Sequence, residues 1–178
     1  MEQLIMRWQN DGKEAIYPAF PDRISVRNWT EMEHPLDTWL DIVQYGLTDT
    51  RRDEEYYKQC NDCYAYYKPE DCYFFLLDGC PVGTITVICN PETCDGYVHM
   101  VAVTPQARGM GIGNLMSMFA VYLLKTNNMK TAHLTTDDWR IPAIKTYFHS
   151  GFFADESTAD FSERWRKIRE IMKANQMM

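Results

Sequence analysis

The spacing of hydrophobic positions changes character along the chain. Leu36, Trp39, Leu40, Ile42, Val43 and Leu47 recur at three- and four-residue intervals, the period of an amphipathic helix, with Pro35 or Asp37 at its start. A second helix is expected from about Asp53 to Tyr66. From Tyr73 the pattern becomes that of extended chain. Tyr73–Leu77 ends at Asp78-Gly79, a hairpin turn signal, and Val82–Cys89 continues with β-branched residues. A turn with Pro91 and Gly96 leads into Tyr97–Val103, so three consecutive antiparallel strands are expected. Gly111–Lys125 is apolar almost all round, as in a helix buried on more than one side. Lys130–Thr136 reads as a strand, Ile141–Ser150 as a helix closed by Gly151, and Phe161–Ala174 as a helix carrying Phe161, Trp165, Ile168, Ile171 and Met172. Near the start, Leu4-Ile5-Met6 makes a short strand and Ile24–Trp29 a better one. No repeat, low-complexity tract or linker interrupts this order, which predicts one mixed α/β domain over residues 1–178.

Composition narrows the class. Of 178 residues, 46 % are apolar and 24 % charged, the balance of a globular chain with a full core. No apolar run approaches the ~18–20 residues that cross a bilayer, so no membrane contact is expected. The opening MEQLIMRWQNDGKE turns polar too early for a secretory signal, and the expected address is cytoplasmic. A net charge of −7 opposes a nucleic-acid partner and tilts toward a cationic one. Six cysteines include one CxxC, Cys60 and Cys63, with no second CxxC and no paired histidines. They are expected to be reduced packing residues with no metal, zinc being the minor alternative.

The stretch Val101-Ala102-Val103-Thr104-Pro105-Gln106-Ala107-Arg108-Gly109-Met110-Gly111-Ile112-Gly113 runs from a strand, through a glycine-spaced turn, into the buried helix. Alternating glycines let backbone approach a ligand closely. The first amides of a helix lack internal partners and favour an anion, so this junction makes a pyrophosphate cradle. It is neither a P-loop, since GxxxxGK[ST] is absent, nor a dinucleotide GxGxxG, whose third spacing fails and which follows the first strand of a parallel unit. A glycine-rich connection without a ligand is the plain alternative.

Arg108–Gly113 matches, without a gap, the Q/R-x-x-G-x-G/A signature of the GCN5-related N-acetyltransferase (GNAT) superfamily. Pro142–Phe152 resembles its second block, A-I-x-x-Y-x-x-x-G-F. The resemblance spans residues 72–152, with 1–71 as a variable substrate-side part and 153–178 as a C-terminal helical segment. It implies a central, largely antiparallel sheet flanked by helices and splayed between the family's fourth strand, here 97–103, and its fifth, 130–136. The acyl-pantetheine arm of acetyl-CoA would lie in that gap, held by Met100, Val101, Ala102 and Val103, with Thr135 opposite. The amides of Arg108, Gly109, Met110, Gly111, Ile112 and Gly113 would take the pyrophosphate.

The resemblance also implies an acetyl transfer from acetyl-CoA to a small or peptide amine by direct attack, with no metal. Tyr147 falls where the family has a proton donor to the leaving thiolate, a packing aromatic being the other reading. The family's strand-four glutamate is replaced by Tyr97. His99, two residues on and on the same strand face, is the candidate general base, with a structural histidine as the alternative and Asp95 with water as the fallback. Arg140 stands where the family carries an asparagine that contacts the cofactor. Asp137 and Asp138 either face the acceptor or cap the following helix. These departures leave a non-catalytic acyl-CoA sensor or scaffold as the runner-up. The family's two terminal strands are not evident after Phe153, and Trp165 is expected to pack on its own domain or on a second subunit in a homodimer.

Overall fold

The computed structural model describes residues 2–174. Seven strands form one sheet: β1 (Leu4–Gln9), β2 (Ile24–Asn28), β3 (Cys72–Leu77), β4 (Cys80–Asn90), β5 (Asp95–Val103), β6 (Thr131–Thr136) and β7 (Phe153–Ala154). Their order is β2-β3-β4-β5-β6-β1-β7. Among the described residues five α-helices flank it: α1 (Pro35–Val43), α2 (Glu54–Asn61), α3 (Ile112–Thr126), α4 (Ile141–His149) and α5 (Ala159–Ala174). The mixed α/β, largely antiparallel sheet expected from the sequence is observed.

The β3–β4 hairpin turns through Asp78 and Gly79, both at positive φ (50° and 80°), as a tight turn between right-twisted strands requires. Every contact in the sheet is antiparallel except β5–β6, which pair in parallel only from Asp95↔Thr131 to Tyr97↔His133. Beyond that point the two strands part. Next to the fork, β5 carries a bulge. Thr86 pairs with His99 but Thr84 with Ala102, so Ile85 faces both Met100 and Val101, and Met100 adopts φ of +48°. The extra residue reverses which way the strand faces: Val98 lies in the core beneath α3, Ala102 in the core beneath α1.

Those two cores follow from the layering. On one side of the sheet Met116, Phe119, Ala120 and Leu124 of α3 meet Leu4, Met6 and Trp8 of β1 together with Phe161, Trp165 and Ile168 of α5. On the other side Trp39, Leu40, Ile42 and Val43 of α1 pack with Tyr57 and with Phe74 and Leu76 of β3. The alternating burial of Leu4, Met6 and Trp8 is the two-residue period of a half-buried strand. Where late strands resembling the family's were missing from the sequence, β1 pairs with β6 over six residues, and the two-residue β7 adds to its far edge.

Three boundaries differ from expectation. α1 stops at Val43 because Tyr45 is non-helical and Gly46 sits at φ +100°, turning Gln44–Thr48 into a wide loop rather than a last helical turn. α2 stops at Asn61, and the chain to Tyr67 folds back through turns, with the Tyr67 hydroxyl against that of Tyr57. α5 begins at Ala159, two residues before the first apolar position of its pattern. Its Trp165 is fully buried within the domain and donates Nε1–H to Asp155 O at 2.9 Å.

Candidate active site

A cleft of about 680 Å³ opens where β5 leaves β6 and is lined by Val101–Val103, Arg108, Gly109, Gly111–Asn114, Trp139, Arg140 and Tyr147 with the loop Tyr45–Leu47. That volume suits a cofactor-sized ligand. Val101, Ala102 and Val103 stand past the last β5–β6 pair, so one edge of this backbone has lost its strand partner. At the other end, Gly109 and Gly111 take φ of +78° and +79°, and a Cβ on Gly109, Gly111 or Gly113 would meet no protein atom within 4 Å. The space in front of these glycines is therefore open rather than tightly packed. Among the described residues, no backbone amide from Gly109 to Gly113 donates to a protein backbone acceptor, whereas Arg108 N–H reaches Pro105 O and Asn114 N–H reaches Gly111 O. Gly111 caps α3 without a side-chain hydrogen bond, leaving the positive end of the helix dipole bare. Five unpartnered amides, a helix N-terminus and two guanidiniums fit a polyphosphate.

Both guanidiniums also grip the α1–α2 loop. Arg108 donates from Nε to Val103 O at 3.2 Å and from Nη2 to Tyr45 O at 3.0 Å. Arg140 Nη2 donates to Gly46 O at 2.5 Å, and its guanidinium lies 4.9 Å from the Trp139 ring centroid. Arg140 Nε sits 3.0 Å from Asp137 Oδ2, an ion pair too poorly angled to satisfy that N–H.

Tyr147 comes from α4, whose start is set by Pro142 in its first turn. The residue is 7 % exposed and is among those that line the cleft. Burial pushes the phenol up to about 12, with Arg140 opposing the rise, so it holds its proton at neutral pH. Of the other expected cofactor residues, Met110 is exposed and Met100 packs toward α1, so neither side chain lines the cleft. Thr135 is exposed on β6, with Oγ1 3.5 Å from the Tyr97 hydroxyl.

His99 lies outside the cleft. Its Nε2 is 2.9 Å from Cys60 O, which can only accept, and its Nδ1 is 3.1 Å from the Tyr97 hydroxyl. Burial pulls its ionisation down to about 4, against the carbonyl's contrary pull. The ring is therefore neutral at pH 7, carries its proton on Nε2, and uses its one lone pair on Tyr97; none is left for an acceptor amine. The Tyr64 ring packs over both Tyr97 and His99.

The two aspartates separate. Asp138 accepts from Arg164 Nε at 3.0 Å and Nη2 at 2.5 Å, tying the β6–α4 turn to α5. Asp137 pairs with Arg140 and accepts from Gln3 Nε2 at 3.2 Å. Neither caps α4, whose N-cap is Arg140. Sequence reasoning missed the loop Tyr45–Leu47, which has no motif, and His133, which carries no spacing signal. Asp95 Oδ1 accepts from Thr131 Oγ1 at 2.6 Å and Oδ2 lies 3.0 Å from His133 Nδ1. Cys72 is buried, while Cys63 and Cys80 are exposed; among the described residues no three His, Cys, Asp or Glu side chains cluster as metal ligands.

A sheet that splays beside a bulged strand thus leads into a helix whose first amides have no backbone partner. Residues 23–152 match the family model described as the acetyltransferase (GNAT) family, and the chain belongs to that family. It is 22 % identical over 135 residues to a mycothiol acetyltransferase of Thermomonospora curvata, covering 74 % of this chain and 45 % of that protein. Among solved structures it resembles a GCN5-related N-acetyltransferase from Sphaerobacter thermophilus (TM-score 0.68, 18 % identity, 86 % of this chain and 48 % of that one). It also resembles Arabidopsis thaliana Naa50 in complex with the bisubstrate analogue CoA-Ac-MVNAL (TM-score 0.56, 19 % identity, 75 % and 85 %). The chain spans less than half the length of the curated relatives it matches.

Proposed function

We propose that this protein is an acetyl-CoA-dependent N-acetyltransferase that moves the acetyl group directly to an amine while both are bound. The observation that carries the reading is the run of unpartnered amides from Gly109 to Gly113 at the head of α3, facing an open cleft that ends at the unpaired edge of β5. Acetyl-CoA would supply the activated thioester. The cradle amides, with Arg108 and Arg140, hold the pyrophosphate. Val101–Val103 complete their main-chain hydrogen bonds with the pantetheine amides, and an N–H of β5 near Val101 polarises the thioester carbonyl. Tyr147, protonated and lining the same cleft, gives its proton to the departing sulfur.

The acceptor approaches from the fork side, where Thr135 and Asp137 lie. Asp138 is held by Arg164, and Asp137 is shared between Arg140 and Gln3, so either carboxylate would meet the acceptor as part of an existing pair. We assign His99 a positioning role: by accepting from Tyr97 it fixes the direction of that hydroxyl. Action in the cytoplasm on a small or peptide amine completes the reading, which the acidity of the chain favours.

The test is release of free thiol from acetyl-CoA, followed with a thiol reagent across a panel of small amines, amino acids and peptides with free N-termini. Amine-dependent release supports the transferase. Tight acetyl-CoA binding with no release from any member of a broad panel would favour a sensor that holds the ligand without turnover.

A further inference from the structure

The proposed transfer requires an acceptor amine to lose a proton, and neither Tyr147 nor His99 can take it. We propose that His133, oriented by Asp95 and backed by Tyr97, receives that proton. The inference rests on the transferase reading above and names the base for it.

His133 occupies a particular place in the sheet. It pairs with Tyr97 at the last β5–β6 contact before the strands part, so its side chain stands at the mouth of the fork. Its ring stacks on Tyr97 with centroids 4.7 Å apart and planes 14° from parallel. Nδ1 lies 3.0 Å from Asp95 Oδ2, and the second carboxylate oxygen is held by Thr131 Oγ1–H at 2.6 Å. An ionised carboxylate only accepts, so Nδ1 carries the hydrogen and Nε2 of the neutral ring carries the lone pair. Among the described residues that Nε2 has no protein partner, and the side chain is 36 % exposed. Of the two histidines on this face, His99 has its lone pair spent inward and His133 has one turned outward.

Neighbouring groups support the role. The Tyr97 hydroxyl points along the same face toward Thr135, and because it donates to His99 it offers oxygen lone pairs to an N–H donor. Arg7 of β1, directly across from His133, is engaged by Asp155 at 2.6 Å. An ammonium at the fork therefore meets the acceptors Tyr97 Oη, Thr135 Oγ1 and His133 Nε2, with Asp95 behind.

In the transfer, the ammonium N–H bond breaks as its proton passes to a bridging water. The water passes one of its own to the His133 Nε2 lone pair, and the new imidazolium is balanced by Asp95. The amine is left with the electron pair that attacks the thioester. His133 and Tyr147 thus serve opposite ends of one reaction, as acceptor from the amine and donor to the sulfur.

Two measurements test this. Long-range nitrogen–carbon-bound-proton correlation spectra of histidine-labelled protein, followed across pH to the unprotonated limit, should show the His133 hydrogen on Nδ1 there, moving toward the Nε2–H form in Asp95→Asn. A His133 ring with its hydrogen on Nε2 in the unaltered protein would overturn the proposal without any substrate. The second uses two small amines in large excess: ethanolamine, protonated at neutral pH, and methoxyamine, unprotonated there. His133→Gln should cut ethanolamine-dependent thiol release about 100-fold while leaving methoxyamine-dependent release within about twofold. Equal losses would reduce His133 to a structural role, and unchanged rates with both amines would remove it from the reaction. Failure of acetyl-CoA to bind in calorimetry would count against the transferase reading instead, while the ring tautomer would still decide the dyad.

Discussion

Arg108 and Arg140 donate to the consecutive carbonyls of Tyr45 and Gly46, so two cations from opposite sides of the cleft hold one loop between α1 and α2. The same guanidiniums flank the amide cradle at the start of α3. The wall of the cleft and the proposed anion site are thereby mechanically linked. Arg108→Ala and Arg140→Ala should each speed amide hydrogen exchange across residues 44–49 and weaken acetyl-CoA binding. Loss of one charge-assisted hydrogen bond to the loop corresponds to about 1.5–3 kcal/mol, and exchange mass spectrometry with calorimetry reads both effects.

Tyr147→Phe separates the proton donor from a packing aromatic. The ring and its burial remain, so acetyl-CoA affinity and thermal midpoint should hold while turnover falls roughly 100-fold. Because burial pushes the phenol up to about 12, its protonated form persists through neutral and mildly alkaline pH, and this group should add no downward limb to the rate profile below about pH 9.

Asp138 ties the β6–α4 turn to Arg164 of α5, whose side chain is only 9 % exposed. Hydrogen bonding to Arg164 holds the Asp138 carboxyl below its usual range. A depressed folded-state value means that its contribution is fully present above about pH 4 and is lost as pH falls through the lowered value. Asp138→Asn should destabilise the domain by about 1–3 kcal/mol at pH 7 and flatten the acid limb of a denaturation midpoint plotted against pH.

Gly96 tests the close approach of α3 to the paired part of the fork. A Cβ there would fall 2.2 Å from Leu124 Cδ2 and 3.3 Å from Ala132 Cβ. Gly96→Ala should cost about 1–3 kcal/mol by overpacking, measured by urea denaturation. Gly109→Ala meets open space instead, and its cost comes from the left-handed backbone, roughly 1 kcal/mol.

Much of this architecture was legible in the sequence because local pattern and tertiary role coincide. The β3–β4–β5 meander announced itself through β-branched runs and Asp78-Gly79, and α3 through an apolar surface too broad for a solvent-facing helix. The open turn at the head of α3 was legible because Gly109, Gly111 and Gly113 alternate in the sequence. What stayed hidden depends on partners distant in sequence. Leu4–Gln9 reads as a weak strand alone, and its pairing with β6 arises from 120 and more intervening residues that no local signal records. The bulge at Met100 leaves no mark, since methionine has no preference for positive φ. His99 and His133 look alike in sequence; only the carbonyl of Cys60 and the carboxylate of Asp95 decide which lone pair turns inward and which outward.

Calorimetric titration of acetyl-CoA into the protein and into Gly111→Glu tests the central claim most directly. Gly111 lies at φ +79° with nothing within 4 Å of its would-be Cβ, so a glutamate there would set a carboxylate in the cradle. The account predicts saturable one-to-one binding to the unaltered protein and a loss of at least about 100-fold in the variant, with its fold retained by circular dichroism. Equal affinity in both proteins, or no binding to either, would contradict it.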